Sequence, residues 1–273
     1  MQALAEASAV GFGTRRWTGA PAQVHTLDLA LDRGCSLVDV TAVPGGRDDV
    51  ECAVGRVLSR RLDDVTVVTL CGSLEPAAVT ERVRVAASRL RRDRLDVLLF
   101  DEPETLVGDA PGDAEAAVQA AFATCEGLVD RGELGWYGVS SARLAATGTA
   151  QAPLGLDRLL AIARGLRHDH RFGVLQVPCE VLTGRTPAGQ PASGLPGAGR
   201  GGLVRQARLG GLATIGTGPM PVWPASGAAP LATCQTFLMD GVDHVLVDPS
   251  CADQVRAVAP MLAGRIPAPR RAG

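Results

Sequence analysis

Eight short, β-rich apolar runs, each followed by a segment of helical period, predict a closed parallel (β/α)8 barrel of the TIM-barrel type. Two further observations support that reading. The chain has 273 residues, a length that suits one such barrel, and 46% of them are hydrophobic against 21% charged, enough apolar material for a large core. Nothing in the composition marks a domain boundary, so residues 1–273 read as a single domain. An open, doubly wound sheet is the competing arrangement, and the count of eight strand–helix units favours closure.

The strand runs fall at residues 9–13, 36–40, 65–70, 96–100, 135–139, 173–177, 213–215 and 244–247. Amphipathic stretches between them, at 24–33, 50–60, 77–90, 114–130, 156–165, 203–209, 231–240 and 252–263, supply the outer helices. The segment GRTPAGQPASGLPGAGRGG at 184–202 has the Gly/Pro-rich composition of a flexible loop. It leaves the sixth strand on the face where barrels bind ligands, and both a lid and a plain insertion fit it. A second Pro/Gly-rich loop, 217–229, leaves the seventh strand on the same face.

Charge and cysteine usage exclude several classes. A formal net charge of −2 gives no electrostatic footprint for nucleic acid or an anionic membrane. No apolar run reaches the roughly 20 residues of a membrane span. Residues 1–9 are too polar for a secretory leader, and cytoplasmic residence is the expectation. Seven widely spaced cysteines without a CxxC pair suggest neither a disulfide framework nor a zinc site. All 27 basic residues are arginine, so no lysine Schiff base or lysine acid can arise from this chain.

Five segments, in order, carry a resemblance: GFGTRRW at 11–17, ALDRGCSLVDVTAVPGGRDDVECAVGRVL at 30–58, RLDVLLFDEPE at 94–104, LVDRGELGWYGVSS at 128–141 and VLQVPCEVL at 174–182. Together they resemble the aldo-keto reductase family, over nearly the whole chain. The resemblance implies an aldo-keto-reductase-like barrel, NADPH lying across its mouth, and a tetrad of Asp, Tyr, Lys and His around a substrate carbonyl. Asp39 matches the aspartate. The tyrosine, lysine and histidine positions hold Pro44, Leu70 and Asp101. The one tyrosine in the chain, Tyr137, lies inside the fifth strand run and has no lysine to pair with.

On the cofactor side, Ser140 and Gln176 match positions that hold the nicotinamide amide in the family. The phosphate-binding run is VDPSCADQVRAV, with Ser250 where the family has a basic residue and Val258 where it has asparagine. Lost charge-assisted bonds there lead us to expect no tightly held cofactor, with NADPH the one group to be tested.

Residues that follow barrel strands gather at one face, which nominates Asp39, Cys71, Asp101, Glu102, Ser140, Cys179, Thr217 and Asp248. The expected catalytic set is Asp39 and Asp101 with Glu102. Two carboxyl groups beside apolar side chains have pKa values pushed apart, the condition for moving protons without a redox cofactor. The leading expectation is an enzyme of non-redox acid/base chemistry, such as isomerisation, dehydration or cyclisation, on a small molecule in the mouth. A non-catalytic binding or regulatory subunit with a protein partner is the alternative, and an atypical NADPH-dependent oxidoreductase is the third reading. Asp101 could instead be neutralised by Arg15, Arg16 or Arg47. Cys71 and Cys179 lack a neighbouring histidine, and RHDH at 167–170 precedes the sixth strand, away from the mouth, so no metal site is expected.

Overall fold

The computed structural model describes residues 4–41, 47–61, 64–106, 111–144, 154–184, 202–219 and 229–262. Eight parallel strands close into one barrel in chain order, and the last pairs with the first. They are β1 (Val10–Gly13), β2 (Leu37–Val40), β3 (Thr66–Cys71), β4 (Leu95–Asp101), β5 (Leu134–Ser140), β6 (Phe172–Pro178), β7 (Ala213–Thr217) and β8 (His244–Val247). Around them run α1 (Pro21–Asp32), α2 (Arg47–Leu58), α3 (Pro76–Leu90), α4 (Pro111–Asp130), α5 (Leu156–Leu166), α6 (Cys179–Thr183), α7 (Gly202–Leu209), α8 (Ala229–Met239) and α9 (Ala252–Leu262). The short α6 was not expected from the sequence. Extended Pro178 ends the strand and leads into it, and Gly184, at φ 67°, stops it in the left-handed conformation that glycine adopts without strain.

Side chains alternate across each strand, which divides the buried residues into two cores. Leu37, Val68, Leu70, Val97, Leu99, Val174, Ile215 and Leu246 pack inside the barrel, joined by Leu4 and Ala7 from the segment before β1. The other parity, including Phe12, Val38, Phe100, Tyr137 and Leu175, packs against the helices in a larger cluster, joined by Phe172, which a register shift between β5 and β6 turns outward. Each fully buried side chain of this size contributes about 1.5–3 kcal/mol.

Two buried polar clusters fix the frame behind the strands. Glu51 on α2 is wholly buried and is held by both terminal nitrogens of Arg82, by Arg89 Nη1 at 3.4 Å and by Thr69 Oγ1 at 3.2 Å. Arg82 Nε also donates to the Leu70 carbonyl at 2.8 Å, tying α2 and α3 to the end of β3. The second cluster explains Tyr137. Its hydroxyl donates to Glu126 Oε1 on α4 at 2.8 Å, and the Arg171 backbone N–H donates to the same oxygen at 2.7 Å. Its ring meets Phe122 edge-on and lies tilted against Phe172. Burial and the Glu126 charge hold the phenol far above its usual range. The one tyrosine therefore serves the helical layer.

In the 167–170 run, Arg167 is held by Asp130 at 2.6 Å and Asp169 at 2.7 Å. Among the described residues, no group of three or more His, Cys, Asp or Glu is gathered as a metal site requires. No described helix is long and apolar enough to cross a membrane.

Candidate functional site

Strand parity builds the site. Inward Leu37 on β2 is followed two residues on by Asp39, and Val97 and Leu99 on β4 by Asp101. In the same way Val174 on β6 leads to Gln176, and Leu246 on β8 leads to Asp248. Register aligns Asp101 with Ser140 and Ser140 with Gln176 on three adjacent strands. The result is a polar layer above the apolar interior, at the carboxyl ends of the strands where barrel ligands bind. It lines a cavity of about 300 Å³ together with Leu70, Leu246 and Arg15. That is the small end of the range for ligand pockets.

One hydrogen-bonded chain crosses this layer. Ser140 Oγ donates to Gln176 Oε1 at 2.8 Å, and Gln176 Nε2 donates to Asp39 Oδ2 at 3.0 Å. Thr41 Oγ1 reaches the same Asp39 oxygen at 3.4 Å. Asp39 is only 3% exposed, and its Oδ1 is buried without a hydrogen-bond partner. Burial pushes its carboxyl up to about 8, reinforced by the Asp248 charge and, less, by Asp101, against the bonds from Gln176 and Thr41. Burial also raises Asp248, while the Arg15 backbone and the Arg16 and Arg15 charges draw it down. Gly13 gives Asp248 its place, since a methyl group there would overlap Asp248 Oδ1.

The residues nominated from sequence are thus brought together, with different weights. Asp39, Asp101, Ser140 and Gln176 share the cavity, and Glu102 stands at its rim. The Glu102 side chain is 39% exposed and faces Arg143 at 3.8 Å. The electrostatic partner of Asp39 is first Asp248 and only then Asp101. Asp248 was nominated as a strand-end residue but not for chemistry, although its spacing from inward Leu246 carried the signal. Arg15 and Arg16 act on Asp248. The side chain of Arg47 lies outside the described residues, as do Pro44 and residues 185–201 of the Gly/Pro-rich loop. Cys71 is buried, and its Sγ donates to the Ser73 carbonyl. Cys179 packs on Gly216, and burial holds its thiol well above the usual range, which suits neither nucleophile nor base.

Residues 9–156 match the model of the aldo/keto reductase family. The chain belongs to the aldo/keto reductase family. No curated protein matches the sequence. Among solved structures, an aldo/keto reductase from Klebsiella pneumoniae in complex with NADP and acetate is 18% identical, with 95% of this chain and 87% of that one covered and a TM-score of 0.64. A glycerol dehydrogenase from Gluconobacter oxydans is 16% identical over 94% and 87%, with a TM-score of 0.66. The holo form of an aldo-keto reductase from Bacillus halodurans is 18% identical over 94% and 87%, with a TM-score of 0.63. At these identities the likeness shows the shared barrel.

At both ends of the site where the family holds NADP(H), polar groups of this chain are engaged within the protein. At the nicotinamide end Ser140 and Gln176 are present, but the Gln176 amide is engaged at both its oxygen and its nitrogen within the protein. At the phosphate end the Ser250 backbone N–H and hydroxyl both donate to Gln254 Oε1, at 2.6 and 3.1 Å. The nearby cation Arg256 is paired with Asp253 at 2.6 Å. A phosphate there would compete for donors already used.

Proposed function

We propose that this aldo/keto reductase family member has exchanged hydride transfer for proton-transfer chemistry on a small molecule in the barrel mouth. The carrying observation is Asp39, a carboxyl group that burial pushes up to about 8 and that lines the cavity with three further carboxyl groups. A neutral carboxylic acid at pH 7 is a general acid, and a neighbouring carboxylate is a general base. In this reading the Asp39 O–H gives its proton to a substrate oxygen while Asp248 or Asp101 takes a proton from the adjacent carbon. Return of the two protons at different atoms completes an isomerisation, and loss of the protonated oxygen as water completes a dehydration. Gln176, fixed by Ser140, orients Asp39 through Oδ2 and leaves Oδ1 for the proton. Glu102 attracts charge at the rim. We place this activity in the cytoplasm on the compositional grounds given above.

Reduction is disfavoured by the same residues. The family's acid is a tyrosine activated by lysine, whereas Leu70 is apolar and Tyr137 is committed to Glu126 on the far side of β5. The subunit alternative would call for a broad apolar face. Among the described residues, the exposed large apolar side chains are Leu106, Leu209 and Met239, too few for one.

The test is deuterium incorporation from D2O into a panel of small hydroxyketones and ketones, read by mass spectrometry with and without protein. The reading predicts enzyme-dependent exchange that disappears in Asp39→Asn and falls in Asp248→Asn, with no heat of binding for NADPH in calorimetry. Carbonyl reduction coupled to NADPH oxidation would contradict it.

A further inference from the structure

We infer that the mouth pocket selects a small primary ammonium ion on a compact apolar body. Four carboxyl groups, Asp39, Asp101, Asp248 and Glu102, line the cavity, and Arg15 is the basic residue among its described lining. Of these acids, Glu102 faces Arg143 at the rim, and Arg15 and Arg16 act on Asp248. The deep oxygen Asp39 Oδ1 has no hydrogen-bond partner although its residue is 97% removed from solvent contact, by its 3% exposure. A buried carboxyl oxygen without a hydrogen-bond partner is a costly arrangement that a partner from a ligand would relieve. An ammonium group carries three donors and the complementary charge. Leu70 and Leu246 offer the apolar surface for the rest of such a molecule, and Leu70 stands where the family resemblance places a lysine, so a cation of the protein gives way to room for one from the ligand.

Binding carries a proton signature. The groups acting on Asp39 are Asp248 after β8, Asp101 at the end of β4, and the neutral Gln176 and Thr41, while Arg15 and Arg16 after β1 act on Asp248. In the free protein burial pushes Asp39 up to about 8, which favours the neutral acid at pH 7. An ammonium ion beside it favours the carboxylate, so the complex releases that proton to the buffer. The balance is one ammonium ion taken up and up to one proton given out. Affinity therefore rises with pH until Asp39 is ionised in the free protein as well.

This inference rests on the same acidic pocket to which proton transfer is assigned above, but binding and catalysis separate in the test. Isothermal titration of the whole chain at pH 7 would compare cyclohexylmethylamine with cyclohexylmethanol, which has the same skeleton and no charge. Running it in phosphate and in HEPES reports proton release. The expected result is ammonium binding at least about tenfold tighter than the alcohol, with a buffer-dependent heat. In Asp39→Asn the preference and the buffer dependence both disappear, and Asp101→Asn weakens the preference alone. Equal affinity for the two probes, binding of neither at millimolar concentration, or an unchanged preference in Asp39→Asn with native circular dichroism would overturn the inference. Ammonium selectivity without deuterium exchange would remove the proton-transfer reading alone. Exchange without ammonium selectivity would remove this inference alone.

Discussion

Replacing Asp39 by asparagine should stabilise the protein, and by an amount that grows with pH. The folded chain keeps the Asp39 proton up to about 8, whereas the ordinary carboxyl value is 3.8. For a group whose folded pKa is raised, stability is fully present below the unfolded value and is lost as pH rises through the folded one. Each pH unit in that window costs about 1.4 kcal/mol, so the burden is roughly 1–2 kcal/mol at pH 5 and about 5 kcal/mol at pH 8. Asparagine has nearly the same shape, does not titrate, and still offers an oxygen to Gln176 Nε2. Water reaching the open mouth screens part of the charge, so the gain at pH 8 should exceed that at pH 5 by about 2–3 kcal/mol. In a chain of this size each kcal/mol moves Tm by about 2–4 °C. Urea unfolding of both proteins at pH 5 and pH 8, followed by circular dichroism, measures the difference. Equal gains at the two pH values would refute the argument that Asp39 is a buried neutral acid.

Two other substitutions test the surroundings. Tyr137→Phe removes the donor to Glu126 and should cost about 1–3 kcal/mol in urea unfolding, while leaving ligand titrations at the mouth unchanged. Leu70→Lys places an ammonium group on the cavity wall. It should draw Asp39 back towards the ordinary carboxylate range and flatten the loss of wild-type stability between pH 5 and pH 8, read by the same unfolding series.

The barrel was legible because its signal is local and repeated: each strand run is short, apolar and followed by helical period. The helix α6 was not, since Cys179–Thr183 is brief and reads as a continuation of the apolar run of β6. Asp39, Asp101, Ser140 and Gln176 could be nominated from strand ends and from the family resemblance. The bond between Gln176 and Asp39 could not, because it joins residues 137 apart across the closed barrel. The greater influence of Asp248 over Asp101 has the same origin. Parity along β8 points Asp248 inward, but only closure of the barrel and the space left by Gly13 bring its charge to Asp39. Tyr137 was assigned to the fifth strand correctly, while its partner Glu126 emerged only from the packing of α4 on β5.

The most direct test of the account is the titration of Asp39 itself, followed by the carbon-13 shift of its carboxyl group in protein labelled at aspartate and assigned with Asp39→Asn. The account predicts a midpoint near 8, far from the ordinary 3.8. A midpoint close to 4 would mean a carboxylate at neutral pH, and the general acid at the centre of the proposed chemistry would be gone.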